Sequence, residues 1–101
     1  MRAKRVPARD SAEYRRAWRL APDLVAEVAS PNQYRPEMAA KALLSLEAGV
    51  RLVWGIWSRY QQVDVWRPGS EQPTARLGTG DALDGFDVLP GFTYPVAELF
   101  A

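Results

Sequence analysis

Two prolines frame the segment that most restricts the fold. Asp23-Leu24-Val25-Ala26-Glu27-Val28-Ala29 lies between Pro22 and Ser30-Pro31-Asn32, short and valine-bearing. Pro22 pushes Ala21 toward an extended conformation, and neither proline suits a helix interior. A strand is the expected outcome. Strand side chains alternate, so Leu24, Ala26 and Val28 share one face, and Asp23, Val25, Glu27 and Ala29 the other.

A second strand is expected at Val50 to Trp57, an apolar run interrupted only by Arg51 and Gly55. Between the two, Pro36 to Ala48 reads as a helix, with Pro36 in the first turn and Gly49 as the left-handed cap. At about 100° per residue, Ala39, Ala40, Leu43, Leu44 and Leu46 gather on one side. Glu37, Lys41, Ser45 and Ala48 fall on the other. Ser58 to Gln61 then turns the chain, and Gln62 to Arg67 returns as the second arm of an antiparallel hairpin. Its alternation places Val63 and Val65 on one face, Asp64 and Trp66 on the other. Pro73 to Gly78 suits a third hairpin strand, and Gly80-Asp81, Asp84-Gly85 and Pro90-Gly91 punctuate a loop-rich tail. Pro95 to Phe100 suits one closing helical turn. Upstream, Ser11 caps a short helix through Arg19, with Tyr14, Ala17 and Trp18 as its apolar stripe. This order predicts an α/β fold with α+β character, a mixed β-sheet flanked by helices. If the first two strands are parallel neighbours, the Pro36 helix is their crossover.

The chain has 101 residues, one domain's worth, and its core is thin enough that a partner chain would help it. No apolar run is long enough for a membrane span and no apolar signal segment stands near the start. The expectation is a cytoplasmic chain with no membrane partner. Cys and His are both absent, which excludes disulfide scaffolds, zinc ribbons, thiol nucleophiles and imidazole bases. Carboxylate oxygen remains for metal chemistry and suits magnesium, manganese or calcium. Catalysis therefore falls to Asp, Glu, Lys, Tyr, Ser or a hard metal ion.

Charge divides the chain at residue 20. Residues 1–20 carry seven basic and two acidic side chains, or +5; residues 21–101 carry six basic and ten acidic, or −4. The arm is either a solvated terminus or a phosphate-docking segment. No interleaved run of basic and aromatic residues points to stacking on single strands.

Asp23 and Glu27 lie about 13 Å apart along one strand face, too far to chelate one ion together unless the strand bends. Either one, joined by a second acid, suits magnesium beside a phosphate. Equally, Asp23 caps the strand start and Glu27 lies on a solvated sheet face. Lys41 follows Glu37 by four residues, the favourable order for a surface ion pair. Glu47 falls inside the apolar arc and either snorkels, pairs with Arg51 or meets a partner chain. Trp54 and Trp57 cannot share one face of a regular strand, so one of them suits a partner-covered surface.

The run from Ala21 to Pro31 resembles the hallmark of the Uma2 family of endonucleases in the PD-(D/E)XK superfamily. Lys41, Glu47-Ala48-Gly49-Val50, Val53-Trp54, Val63 to Arg67, Leu89-Pro90-Gly91-Phe92 and Val96 to Phe100 follow in the family's order. The resemblance implies a mixed sheet and a magnesium-dependent phosphodiesterase site. It implies Glu27 and Asp23 as metal ligands and Lys41, supplied from the helix, as the assisting lysine; Ala29 stands at the usual lysine position. Ser45 stands where relatives carry Tyr. Relatives also carry an earlier strand with a Pro-Asp acid, so the resemblance implies a restriction-endonuclease-like core that lacks its first strand or strands and binds magnesium weakly. Three expectations follow: a DNA-cutting endonuclease domain; a silent remnant that self-associates through an open sheet edge or a Trp surface; or a DNA-docking module that uses the basic arm.

Overall fold

The computed structural model describes residues 17–21 and 23–101, with backbone pairing only for 17–21. Five strands form one mixed sheet in sequential order: β1 (Ala17–Ala21), β2 (Leu24–Val28), β3 (Leu52–Trp57), β4 (Gln62–Trp66) and β5 (Ala75–Leu77). β2 and β3 are parallel and the other neighbours antiparallel. Helix α1 (Arg35–Glu47) makes the crossover between β2 and β3. A two-stranded sheet, β6 (Ala82–Asp84) with β7 (Thr93–Pro95), and the short helix α2 (Val96–Leu99) close the chain.

The strands expected over 23–29, 50–57 and 62–67 are present at 24–28, 52–57 and 62–66, and the hairpin, the crossover and the closing helical turn are present too. The helix expected through Arg19 is not: residues 17–19 belong to β1, and the rest of that helix lies outside the described residues. Ala-Trp-Arg-Leu-Ala alternates with period two as well as it fits a helix stripe. Pairing with β2 decides between them, because it gives that strand's outer N–H and C=O groups partners. The sheet edge expected to lie open beside β2 is therefore occupied by β1. The strand also crosses the expected division at residues 20 and 21.

Both faces of the central strands β2, β3 and β4 are covered, which explains the tryptophans. Leu24, Leu52, Trp54, Val63 and Val65 pack with Leu83 and Val96 of the tail on one face. Val25, Val53 and Trp66 pack with Ala42 and Val50 on the α1 face. Trp54, Trp57 and Trp66 are all buried, so none of them forms the partner-covered surface expected above.

Helix α1 ends as its sequence suggests. Gly49 takes φ +105 and the N–H groups of Gly49 and Val50 donate to Leu46 and Ser45, closing the last turn. Its buried face is rotated from the expected one. Met38 and Ala42 are buried, Ala39, Leu43 and Leu46 are half-buried, and Leu44 is 66% exposed. The cause is Gly55 on β3. A Cβ there would lie 3.0 Å from the Met38 Sδ, so the bare backbone makes the hollow that seats Met38 against the sheet. Among the described residues no helix is long and apolar enough to cross a membrane.

Candidate functional site

Sheet register sets the site. Glu27 of β2 lies beside Gly55 of β3, which lies opposite Asp64 of β4, which lies opposite Arg76 of β5. Residues in one such row share a face, here the face under α1. Six residues of helix span about 9 Å, close to the roughly 9.6 Å of two strand spacings. Lys41 thus meets Glu27 while Arg35, one and two-thirds turns earlier, meets Asp64. Met38 fills the space between them.

Lys41 Nζ lies 3.7 Å from Glu27 Oε1, an ion-pair distance rather than a hydrogen bond. The Glu27 side chain is 9% exposed and the Lys41 side chain 33%. The expected Glu37–Lys41 surface pair is not formed, because the rotation of α1 turns Lys41 to the sheet. Glu37 Oε1 instead accepts the Tyr34 N–H at 2.8 Å, capping the helix start. Glu27 is not on a solvated face either, since α1 covers it.

Asp23 goes elsewhere. It precedes the first residue of β2, accepts from Arg51 Nη1 at 3.3 Å, and belongs to a corner where Arg51 and Arg67 also bind Asp87. It does not join Glu27 and Lys41. Arg51 is thereby committed away from Glu47, which stays exposed.

The residue that sequence reasoning missed is Asp64. Its side chain is 3% exposed and holds three donors: Arg35 Nη1 at 3.0 Å and Trp57 Nε1 at 3.1 Å on Oδ2, and Arg76 Nε at 2.8 Å on Oδ1. Arg35 also gives Nη2 to Gln62 at 2.8 Å and lies over the Trp57 and Tyr60 rings, 4.7 and 5.1 Å from their centres. Arg59 approaches the same Tyr60 ring at 5.8 Å. The available signal was Asp64 sharing its strand face with Trp66, an acid placed toward a covered layer. The basic and aromatic interleaving absent from the linear sequence is assembled here from residues 35, 57, 59, 60 and 76.

Past the carboxyl ends of β2 and β3 lies a cavity of about 150 Å³ lined by Ala29, Ser30, Pro31, Gln33, Trp57, Ser58 and Arg59. Crevices at such strand ends are where open α/β sheets hold ligands. Among the described residues no group of three His, Cys, Asp or Glu side chains is placed to hold a metal ion. Glu27 is the carboxylate beside Lys41.

A mixed sheet with a parallel crossover and a covered carboxylate–ammonium pair defines a small α/β domain with a charged site under its crossover helix. Residues 3–97 match the Uma2 family model, described as "Putative restriction endonuclease". The chain belongs to the Uma2 family. Among solved structures it is similar to a protein of Anabaena variabilis described as "a putative nuclease belonging to DUF820", with 25% identity and a TM-score of 0.66. That match covers 79% of this chain and 44% of the other, so the chain spans less than half of that relative's length. None of the curated proteins matches.

Proposed function

We propose that this chain is an endonuclease domain of the Uma2 kind, acting on DNA, with Glu27 and Lys41 as its chemical pair. The observation that carries the reading is the 3.7 Å approach of Lys41 to a covered Glu27 on the strand row beneath α1. An ammonium group there stabilises negative charge that develops on a phosphoryl oxygen, and the partial exclusion of water strengthens that interaction. Glu27 accepts a proton or a metal bond on the same side.

Magnesium is the implied cofactor, with manganese as a substitute. One carboxylate fits its habits, because the ion is commonly held by one or two carboxylates with phosphate and water oxygens completing the shell. Glu27 would hold it, Asp23 being committed to Arg51 at the far end of β2. When bound, the ion supplies Lewis-acid polarisation and a more acidic bound water. Lys41 balances the charge of the Glu27 carboxylate and orients it.

The test is nicking of supercoiled plasmid in magnesium by the wild type and by Glu27→Ala. Nicking by the wild type alone supports the reading; equal nicking by both, or by neither, removes it. A second reading, DNA docking without cleavage, is favoured by the arginines gathered about Tyr60 and Asp64. Salt-sensitive binding that survives Glu27→Ala, with no nicking, selects it.

A further inference from the structure

We propose that Arg35 and Arg76 form a clamp for the phosphodiester backbone of a nucleic acid, held in place by Asp64. The proposal deepens the nuclease reading above and rests on it for the identity of the ligand. Two guanidinium groups share one carboxylate, so the cluster keeps a net positive charge. The carboxylate is 3% exposed while Arg35 and Arg76 are 34% and 47% exposed. The anion is therefore shielded from an approaching ligand and both cations remain within its reach.

The geometry favours binding over mere neutralisation. Arg76 commits only Nε to Asp64, and its two Nη groups make no hydrogen bond among the described residues. Arg35 is held by Asp64, Gln62 and the Trp57 and Tyr60 rings together. A guanidinium fixed in this way loses little freedom on binding, and its planar fork matches phosphate oxygens. Arg76 and Asp64 also lie in the strand row of Glu27, with Arg35 and Lys41 on the helix above it. The row itself is covered by α1, so a chain of phosphates meets only its half-exposed cations, Arg35 and Arg76 at the β4–β5 end and Lys41 at the β2 end. A backbone reaches both ends; a single free anion does not.

The test uses the full chain without magnesium and a short fluorescein-labelled DNA duplex, with anisotropy read from roughly 50 to 300 mM NaCl. Each phosphate left without its cation lowers the slope of log affinity against log salt by about 0.9. Arg76→Gln and Arg35→Gln should each do so, and Arg76→Lys, which keeps the charge, should keep the slope. An unchanged slope in Arg76→Gln overturns the clamp, as does a wild type that binds no duplex at the lowest salt. Inorganic phosphate displacing the duplex at matched phosphate concentration overturns the backbone as ligand. Slope loss in Arg76→Gln without any magnesium-dependent nicking upholds the clamp and overturns only the nuclease reading. Nicking lost in Glu27→Ala with the Arg76→Gln slope intact overturns only the clamp.

Discussion

The two ends of β2 carry one acid each, and they have opposite environments. Asp23 sits just before the entry, 40% exposed, in a corner where it shares Arg51 with Asp87, which also binds Arg67. Glu27 sits near the exit, covered by α1 and facing Lys41. An exposed acid among arginines is screened by water and already satisfied, so it adds little to chemistry or to stability. A covered acid facing a lysine lies where charge interactions are stronger, and a reacting group gains most from them there. Spacing along a strand makes the two acids look like a pair. Tertiary position makes them a surface corner and a candidate site.

Substitution at the Glu27 end should have the largest effect. Glu27→Gln should lower magnesium-dependent nicking by on the order of 100-fold, the scale of losing a positioned charged group. Urea unfolding should barely change, and nicking that stays within about threefold of wild type, well short of that scale, would erase the contrast between the two acids.

Next comes the buried neighbour. Asp64→Ala leaves the Trp57 N–H unpartnered and frees two arginines, and should cost about 2–3 kcal/mol in urea unfolding. A loss below about 0.5 kcal/mol would mean that Asp64 only balances charge it could leave to water.

The seat of the helix should come third. Gly55→Ala puts a methyl against Met38 and should cost about 1–2 kcal/mol through overpacking, while lifting Lys41 from Glu27 and lowering nicking. Adding Met38→Ala should recover nicking more than stability, since it removes the clash and leaves a cavity. A double variant no more active than Gly55→Ala would show that helix height does not set the Lys41–Glu27 distance. The smallest effect belongs to the other corner. Asp23→Asn should change stability by less than about 1 kcal/mol, less still at high salt, and leave nicking unchanged. Lost nicking there would restore Asp23 to the site and collapse the comparison.

Much of the site was legible residue by residue and little of its assembly. Glu27 stood out with Asp23 as an acid pair on one strand face and Lys41 only through the family's motif order, while periodicity alone assigned Lys41 to solvent. Helical period is counted from apolar residues, and it was misled by Ala40 and Leu44, both exposed. Asp64 was placed on its strand face correctly, yet its three donors come from 7, 12 and 29 residues away. No local pattern reports such contacts. Residues 17–19 show the same limit, since a short amphipathic stretch fits two periods and only pairing along the outer side of β2 selects one.

By itself the sequence determined the strands from 24 to 66, the helix with its proline start and glycine stop, the face each β2 and β4 residue takes, and the chemistry left open without Cys and His. These follow from backbone sterics and short-range periodicity, which act between residues a few positions apart. Only the tertiary structure decided that Glu27 meets Lys41, that Asp23 does not, and that two distant arginines share Asp64. Those pairings depend on strand register and on the depth at which α1 rests over Gly55, and both are settled only when remote segments pack.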